Sequence, residues 1–221
     1  MKCFFCVLLP LIITLTSCTT QLVKPAEFGG HLTSYEQLNV TTAADGTETL
    51  RWVSPKFTYS NYSKAHFDEV VFHPKPKVTE QIGNTVLSDL QIYTGQKLKS
   101  VAKKLGILTN SKGSKVVSVR MAITGVKTTN ESFKPWEVIP FKLVMAGAGA
   151  AIGFRDQDLT VYFEIIGEDS LSQAPLFTIV LKINGDQLDS KWDQMELKHI
   201  QKAFDKFSEK GIAALAKHLS Q

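Results

Sequence analysis

Apolar residues alternate with polar or small ones in three long stretches of the chain. Val117, Val119, Met121 and Ile123 alternate with Ser118, Arg120, Ala122 and Thr124. Leu159, Val161, Phe163 and Ile165 repeat the pattern, as do Phe177, Ile179, Leu181 and Ile183. A period of two predicts strands, the first with one buried face. The turn-rich link Gly167–Pro175 predicts that the last two pair as an antiparallel hairpin. Phe67–His73 reads as a strand stopped by Pro74 and Pro76. A shorter alternation, Leu50–Val53, follows the Asp45-Gly46 turn and ends at Pro55.

Elsewhere the period is helical. Leu32, Tyr35 and Leu38 suggest a short amphipathic turn. Ile82, Val86, Leu90, Tyr93, Val101 and Leu105 form one stripe of a long helix. Thr79 is its expected N-cap, Gly106 its expected C-cap, and Gly95 a place where it could bend. A last helix is predicted from about Gln194 to Leu219, opened by the capping box Asp193–Glu196 and lined by Leu197, Ile200, Phe204, Phe207, Leu215 and Leu219. Two amphipathic helices need a common apolar partner. The economical fold is α+β: two layers, a mostly antiparallel sheet of about four strands, and both helices on one face.

The first eighteen residues obey a different rule. Lys2 precedes an apolar run from Phe4 to Leu15, too short for the ~20 residues of a membrane-spanning helix. Small residues close it, the layout of a secretory signal peptide. Leu15-Thr16-Ser17-Cys18 resembles the bacterial lipobox, which implies cleavage between Ser17 and Cys18 and covalent attachment of diacylglycerol and an N-acyl chain to Cys18. The three cysteines, Cys3, Cys6 and Cys18, all lie in or at the end of this leader, so the mature chain would hold one thiol and no internal disulfide. More than one acyl chain is what stable anchoring requires. Thr19, rather than Asp, after the cysteine points to the outer membrane. The expected organisation is a signal peptide over 1–17, a lipidated cysteine and flexible tether over 18–30, and a single domain over 31–221.

Composition is that of an ordinary globular protein. The formal charge of +4 falls to +3 without Lys2, which is too small to argue for nucleic acid. Lys97, Lys99, Lys103, Lys104, Lys112 and Lys115 cluster in sequence, as a solvated helix face or as a surface for anionic headgroups.

No catalytic signature emerges. The histidines (31, 66, 73, 199 and 218) have no HExxH spacing. Asp186, Asp189 and Asp193 lack a calcium-loop pattern. Glu164, Glu168 and Asp169 are not singled out by their spacing. Gly147, Gly149 and Gly153 are spaced GxGxxxG, out of register with the dinucleotide fingerprint. They lie within 137–154, a nearly continuous apolar stretch. It reads as a packed loop or as a membrane or partner contact through Phe141, Leu143, Met145, Ile152 and Phe154. We therefore expect no enzyme, no metal and no cofactor besides the lipid.

Gly30–Leu38, Asp45-Gly46, Leu50–Pro55 and Tyr62–Lys64 leading into Val70-Val71 and Pro74 together resemble the lipoprotein family catalogued as domain of unknown function 3313. The resemblance implies a Gram-negative envelope lipoprotein without an established activity. The expectation is an outer-membrane, periplasm-facing domain that binds an envelope protein or polymer. The alternative is a subunit of an export or pore assembly, with 137–154 touching the membrane.

Overall fold

Strand β5 (Val116–Thr128) is the axis of the fold, because each of its faces meets a different layer. The structure is a computed structural model, and it describes residues 22–44, 46–128, 158–190 and 192–219. The other strands are β1 (Asn39–Thr42), β2 (Glu48–Val53), β3 (Lys64–Phe67), β4 (Val71–Phe72), β6 (Leu159–Asp169) and β7 (Pro175–Asn184). They form one seven-stranded sheet in the order β1-β2-β7-β6-β5-β3, with β4 also on β5. The β3 and β4 pairings with β5 are parallel, and the rest are antiparallel.

This corrects the expectation of about four mostly antiparallel strands. Three errors account for it. Asn39–Thr42 has no apolar alternation, and it pairs with β2 as the sheet's edge. The stretch Phe67–His73 is broken: β3 ends at Phe67 and β4 resumes at Val71. Both pieces run alongside β5 in parallel, a pairing that side-chain periodicity does not encode. The predicted β6–β7 hairpin is present, with Phe163 opposite Leu181.

Helices α1 (Asn84–Lys104) and α2 (Lys198–Leu219) share one face of the sheet, as expected. The apolar alternants Val117, Val119, Met121 and Ile123 of β5 and Val161, Phe163 and Ile165 of β6 meet them there. Phe204 and Phe163 are fully buried, their ring centroids 5.5 Å apart. α1 runs unbroken through Gly95 and ends at Gly106, whose φ of +72° is cheap for glycine alone. Ile107 folds back so that its N–H reaches the Ala102 carbonyl at 3.0 Å. Both helices start later than expected. Thr79 Oγ1 accepts from the Ile82 N–H at 3.0 Å in a turn before α1. The Asp193–Glu196 box precedes α2 altogether, and the Met195 N–H there reaches the Gln81 carbonyl. Leu105, expected in the buried stripe, is 41% exposed.

The opposite face is not bare, which is the second correction to the two-layer picture. Residues 22–38 cross it as a third layer without a regular helix. Val23 and Leu32 are buried with Tyr162, Ile166 and Val180, and Phe28, Tyr35 and Leu38 pack around them. Leu32, Tyr35 and Leu38, expected in a helical turn, thus contribute to a small apolar cluster from an irregular chain. Of the stretch read as a flexible tether, the described part, 22–30, lies on this face.

Candidate functional site

The third layer is tied to β6 through one buried side chain above all. Glu164 stands on β6 between Tyr162 and Ile166, on the face away from the helices, and is fully buried. Its Oε1 accepts from the Gly29 N–H at 2.6 Å. Its Oε2 accepts from the His31 and Leu32 N–H groups at 2.9 and 3.1 Å and from the Tyr35 hydroxyl at 2.8 Å. Four donors, three of them backbone, converge on one carboxylate. An acceptor buried this deeply is stable only if so satisfied.

The local sequence makes this convergence possible. Gly29 lies so close to β5 that a Cβ there would come 2.6 Å from Thr124 Cγ2. Gly30 has φ +81°, which turns consecutive N–H groups toward Glu164. Tyr35 returns across the turn, stacks on Phe28 with centroids 4.3 Å apart, and accepts from the Gly30 N–H at 2.7 Å. Burial and the adjacent Glu164 carboxylate push the Tyr35 hydroxyl well above its ordinary pKa. Glu27 makes a second, smaller clasp. It accepts from the Tyr162 hydroxyl at 3.1 Å and from the Lys24 N–H at 2.8 Å, and Lys182 stands 4.0 Å away. Burial and then Glu27 raise Tyr162 in turn.

Beside the clasp stand further charged and imidazole side chains. Arg120 on β5 pairs with Glu168 on β6. The His31 ring lies 5.6 Å from that of His73. Its Nε2 is buried without a partner among the described residues. Burial is the main cause holding His31 below its ordinary pKa; His73 and Arg120 push the same way, while Glu164 and Glu168 oppose them. Chemically, this group positions and neutralises.

The remaining residues considered in the sequence are dispersed. His66 faces Asp68 at 3.2 Å. His199 Nδ1 accepts from the Glu196 N–H at 3.0 Å, in a polar groove that Asp189 and Asp193 also line. His218 stacks on Tyr59. Among the described residues no three His, Cys, Asp or Glu side chains are grouped to hold a metal ion. In the lysine cluster, Lys97 bridges Asp205 and Glu209 at 3.2 and 2.9 Å, and Lys112 meets Asp68 at 3.2 Å. Asp169 accepts from the Ser172 N–H, which lowers its pKa, and from the Tyr62 hydroxyl. Ser17, Cys18, Phe141, Leu143, Met145, Ile152 and Phe154 lie outside the described residues.

The Glu164 clasp is absent from the sequence expectations, yet a signal for it existed. β6 carries Tyr162 and Ile166 on the face assigned to solvent. Apolar residues on both faces of a strand announce cover on both sides, and the lone acid between them is then a buried acceptor.

Comparison with known proteins locates the chain in sequence space. A family profile described as "Protein of unknown function (DUF3313)" matches residues 27–210. The uncharacterized lipoprotein YdcL of Escherichia coli (strain K12) is 31% identical over 194 residues, covering 88% of this chain and 87% of that protein. Two solved structures align over most of their own length. One is the hypothetical protein CT253 of Chlamydia trachomatis, 9% identical, TM-score 0.40, covering 72% of this chain and 98% of that one. The other is the PelC dodecamer of Paraburkholderia phytofirmans, 10% identical, TM-score 0.37, covering 76% and 96%. Likeness at that level transfers no assembly state to this chain.

Proposed function

Since the chain belongs to the DUF3313 family, whose relative in Escherichia coli bears the name of a lipoprotein, we propose that it is an outer-membrane lipoprotein with a non-catalytic, periplasm-facing domain. Cys18 would carry the diacylglycerol and N-acyl chain after cleavage at Ser17. The domain would bind an envelope protein or polymer while confined to the membrane plane, where tethering raises its effective concentration for a weak partner.

One observation carries this reading beyond a bare anchor. The chain is already packed at Val23, and Glu164 fixes it again from Gly29 to Tyr35. Cys18 and Val23 are then separated by at most about 18 Å of fully extended chain. A lipid on Cys18 therefore holds the sheet face that carries Val23 close to the headgroups, rather than far out in the periplasm.

Fluorophores at Lys24→Cys and Leu171→Cys in the acylated protein test this. Leu171 is exposed in the β6–β7 turn, about 30 Å along β6 from Tyr162, which bonds Glu27. A quencher in the lipid phase should quench the label at 24 strongly and that at 171 weakly. Equal quenching would reject the close-held geometry.

The alternative, a subunit of an export or pore assembly with 137–154 on the membrane, has one observation in its favour. Thr128 pairs with Leu159, so the segment between β5 and β6 leaves from and returns to one end of the sheet. Tyr162, which bonds Glu27, is about 10 Å from that end. The described residues nearest Cys18 and the strand ends that bound 137–154 thus lie toward one end of the sheet, as this alternative requires. Under this alternative the Cys18→Ala protein forms large oligomers on a sizing column, and liposomes protect 137–154 from proteolysis. A monomer with unprotected cleavage removes the alternative.

A further inference from the structure

Between α2 and the β1–β2 end of the sheet lies an apolar cavity of about 160 Å³. Phe57, Phe67, Met121, Ile165, Phe207 and Ile212 are among its walls. Its mouth opens to solvent at the exposed Thr42 and Ala44, and its volume is close to the ~150 Å³ that holds a benzene-sized guest. Here α2 keeps the space open with small side chains: Ser208, Gly211 and Ala214 face it. A Cβ built on Gly211 would meet nothing within 4 Å.

One end of the cavity is cationic. Arg51 on β2 points into the helical side of the sheet, its register partner being Ile179. Its Nε is buried and, among the described residues, has no partner. One Nη donates to the Tyr59 hydroxyl at a long 3.3 Å, and the Tyr59 ring stacks on His218 at 4.2 Å. No carboxylate stands among the described residues that line the cavity. Arg51 is half-buried, with its Nε enclosed beside the apolar space and no carboxylate next to it among the described lining residues. Buried charges are normally paired, and arginine's fork suits a carboxylate or phosphate.

We propose that this cavity binds an amphiphile with an anionic head on Arg51 and an alkyl chain in the cavity, of about six to eight carbons by volume. The head displaces whatever solvent reaches the guanidinium, and Tyr59 and His218 flank it. The chain fills the space beside Gly211. This site lies on the face opposite the Glu164 clasp and stands independently of acylation at Cys18.

The test uses the full protein in phosphatidylcholine nanodiscs and [1-13C]octanoate, observed by NMR. The expected result is a shifted carboxylate resonance that saturates at one per protein and is absent from empty discs. Arg51→Met should weaken binding at least tenfold, and 1-octanol should compete poorly. Gly211→Leu fills the cavity without touching Arg51 and should abolish the resonance while circular dichroism stays unchanged. Substituting phosphatidylglycerol discs separates the sources of the anion. Loss of the octanoate signal there identifies a bilayer lipid chain as the occupant, and persistence identifies a free acid. No protein-dependent resonance, or undiminished saturable binding in a folded Gly211→Leu protein, overturns the proposal.

Discussion

Replacing Glu164 by Gln removes the charge and little else, so it isolates the clasp. The amide oxygen can take over the position of Oε2 and keep His31, Leu32 and Tyr35 as donors. Its NH2 then confronts the Gly29 N–H, which sits 2.6 Å from Oε1 and is buried. One buried donor loses its acceptor, at about 1–3 kcal/mol, and three charge-assisted bonds become neutral ones, together losing on the order of 1 kcal/mol. The expected loss is about 2–4 kcal/mol. It falls on the docking of residues 22–38 rather than on the helical core, which shares no bond with this carboxylate. Hydrogen exchange at the Gly29, His31 and Leu32 amides reads the local opening directly. In Glu164→Gln it should accelerate by roughly 30- to 900-fold, with exchange in β5–β7 near wild type. Unchanged protection of those three amides would refute the clasp. Equal acceleration across the whole sheet would refute its being local.

Other expectations follow from the same geometry. His31 is neutral where it is buried and has a depressed pKa, so the detached segment takes up a proton first as pH falls below about 6.5. The docked state must weaken from pH 7.5 to 5.5, seen as faster proteolysis within 22–38, and His31→Asn should flatten this dependence. A pH-independent wild type would contradict the burial of His31. Gly29→Ala forces a Cβ into Thr124 and should release the segment as effectively as Glu164→Gln, measured by the same amide exchange; wild-type protection would count against the close approach. Phe204, fully buried on α2 against Phe163, should cost about 3–5 kcal/mol on truncation to Ala in urea unfolding. A loss below 1 kcal/mol would place α2 outside the cooperative core.

Much of the helical side of the fold was readable from period alone. The alternations of β5, β6 and β7 and the stripes of both helices describe one apolar surface, and the structure assembles them around Phe163 and Phe204. The edges were not readable. Asn39–Thr42 forms β1 because β2 offers it free backbone groups, which polar side chains do not reveal. Lys64–Phe67 joins β5 in parallel through backbone bonds that any sequence can make. The clasp was hidden for another reason. Gly29, Gly30 and Tyr35 each suit an exposed turn, and Glu164 suits an exposed strand face. Only their meeting across more than 120 residues of chain shows that Gly29 and Glu164 are buried and Tyr35 half-buried, with Gly30 at the rim. Arg51 escaped notice in the same way, as a polar residue in an alternating strand that points toward the helices.

The account stands on Cys18 being the joint between the bilayer and a domain already packed five residues later. Intact-mass analysis of the protein extracted from the membranes of the expressing cell tests that joint directly. The account predicts a chain beginning at Cys18 that carries a diacylglyceryl thioether and an N-acyl group. A free thiol at residue 18, or a retained leader, would contradict it.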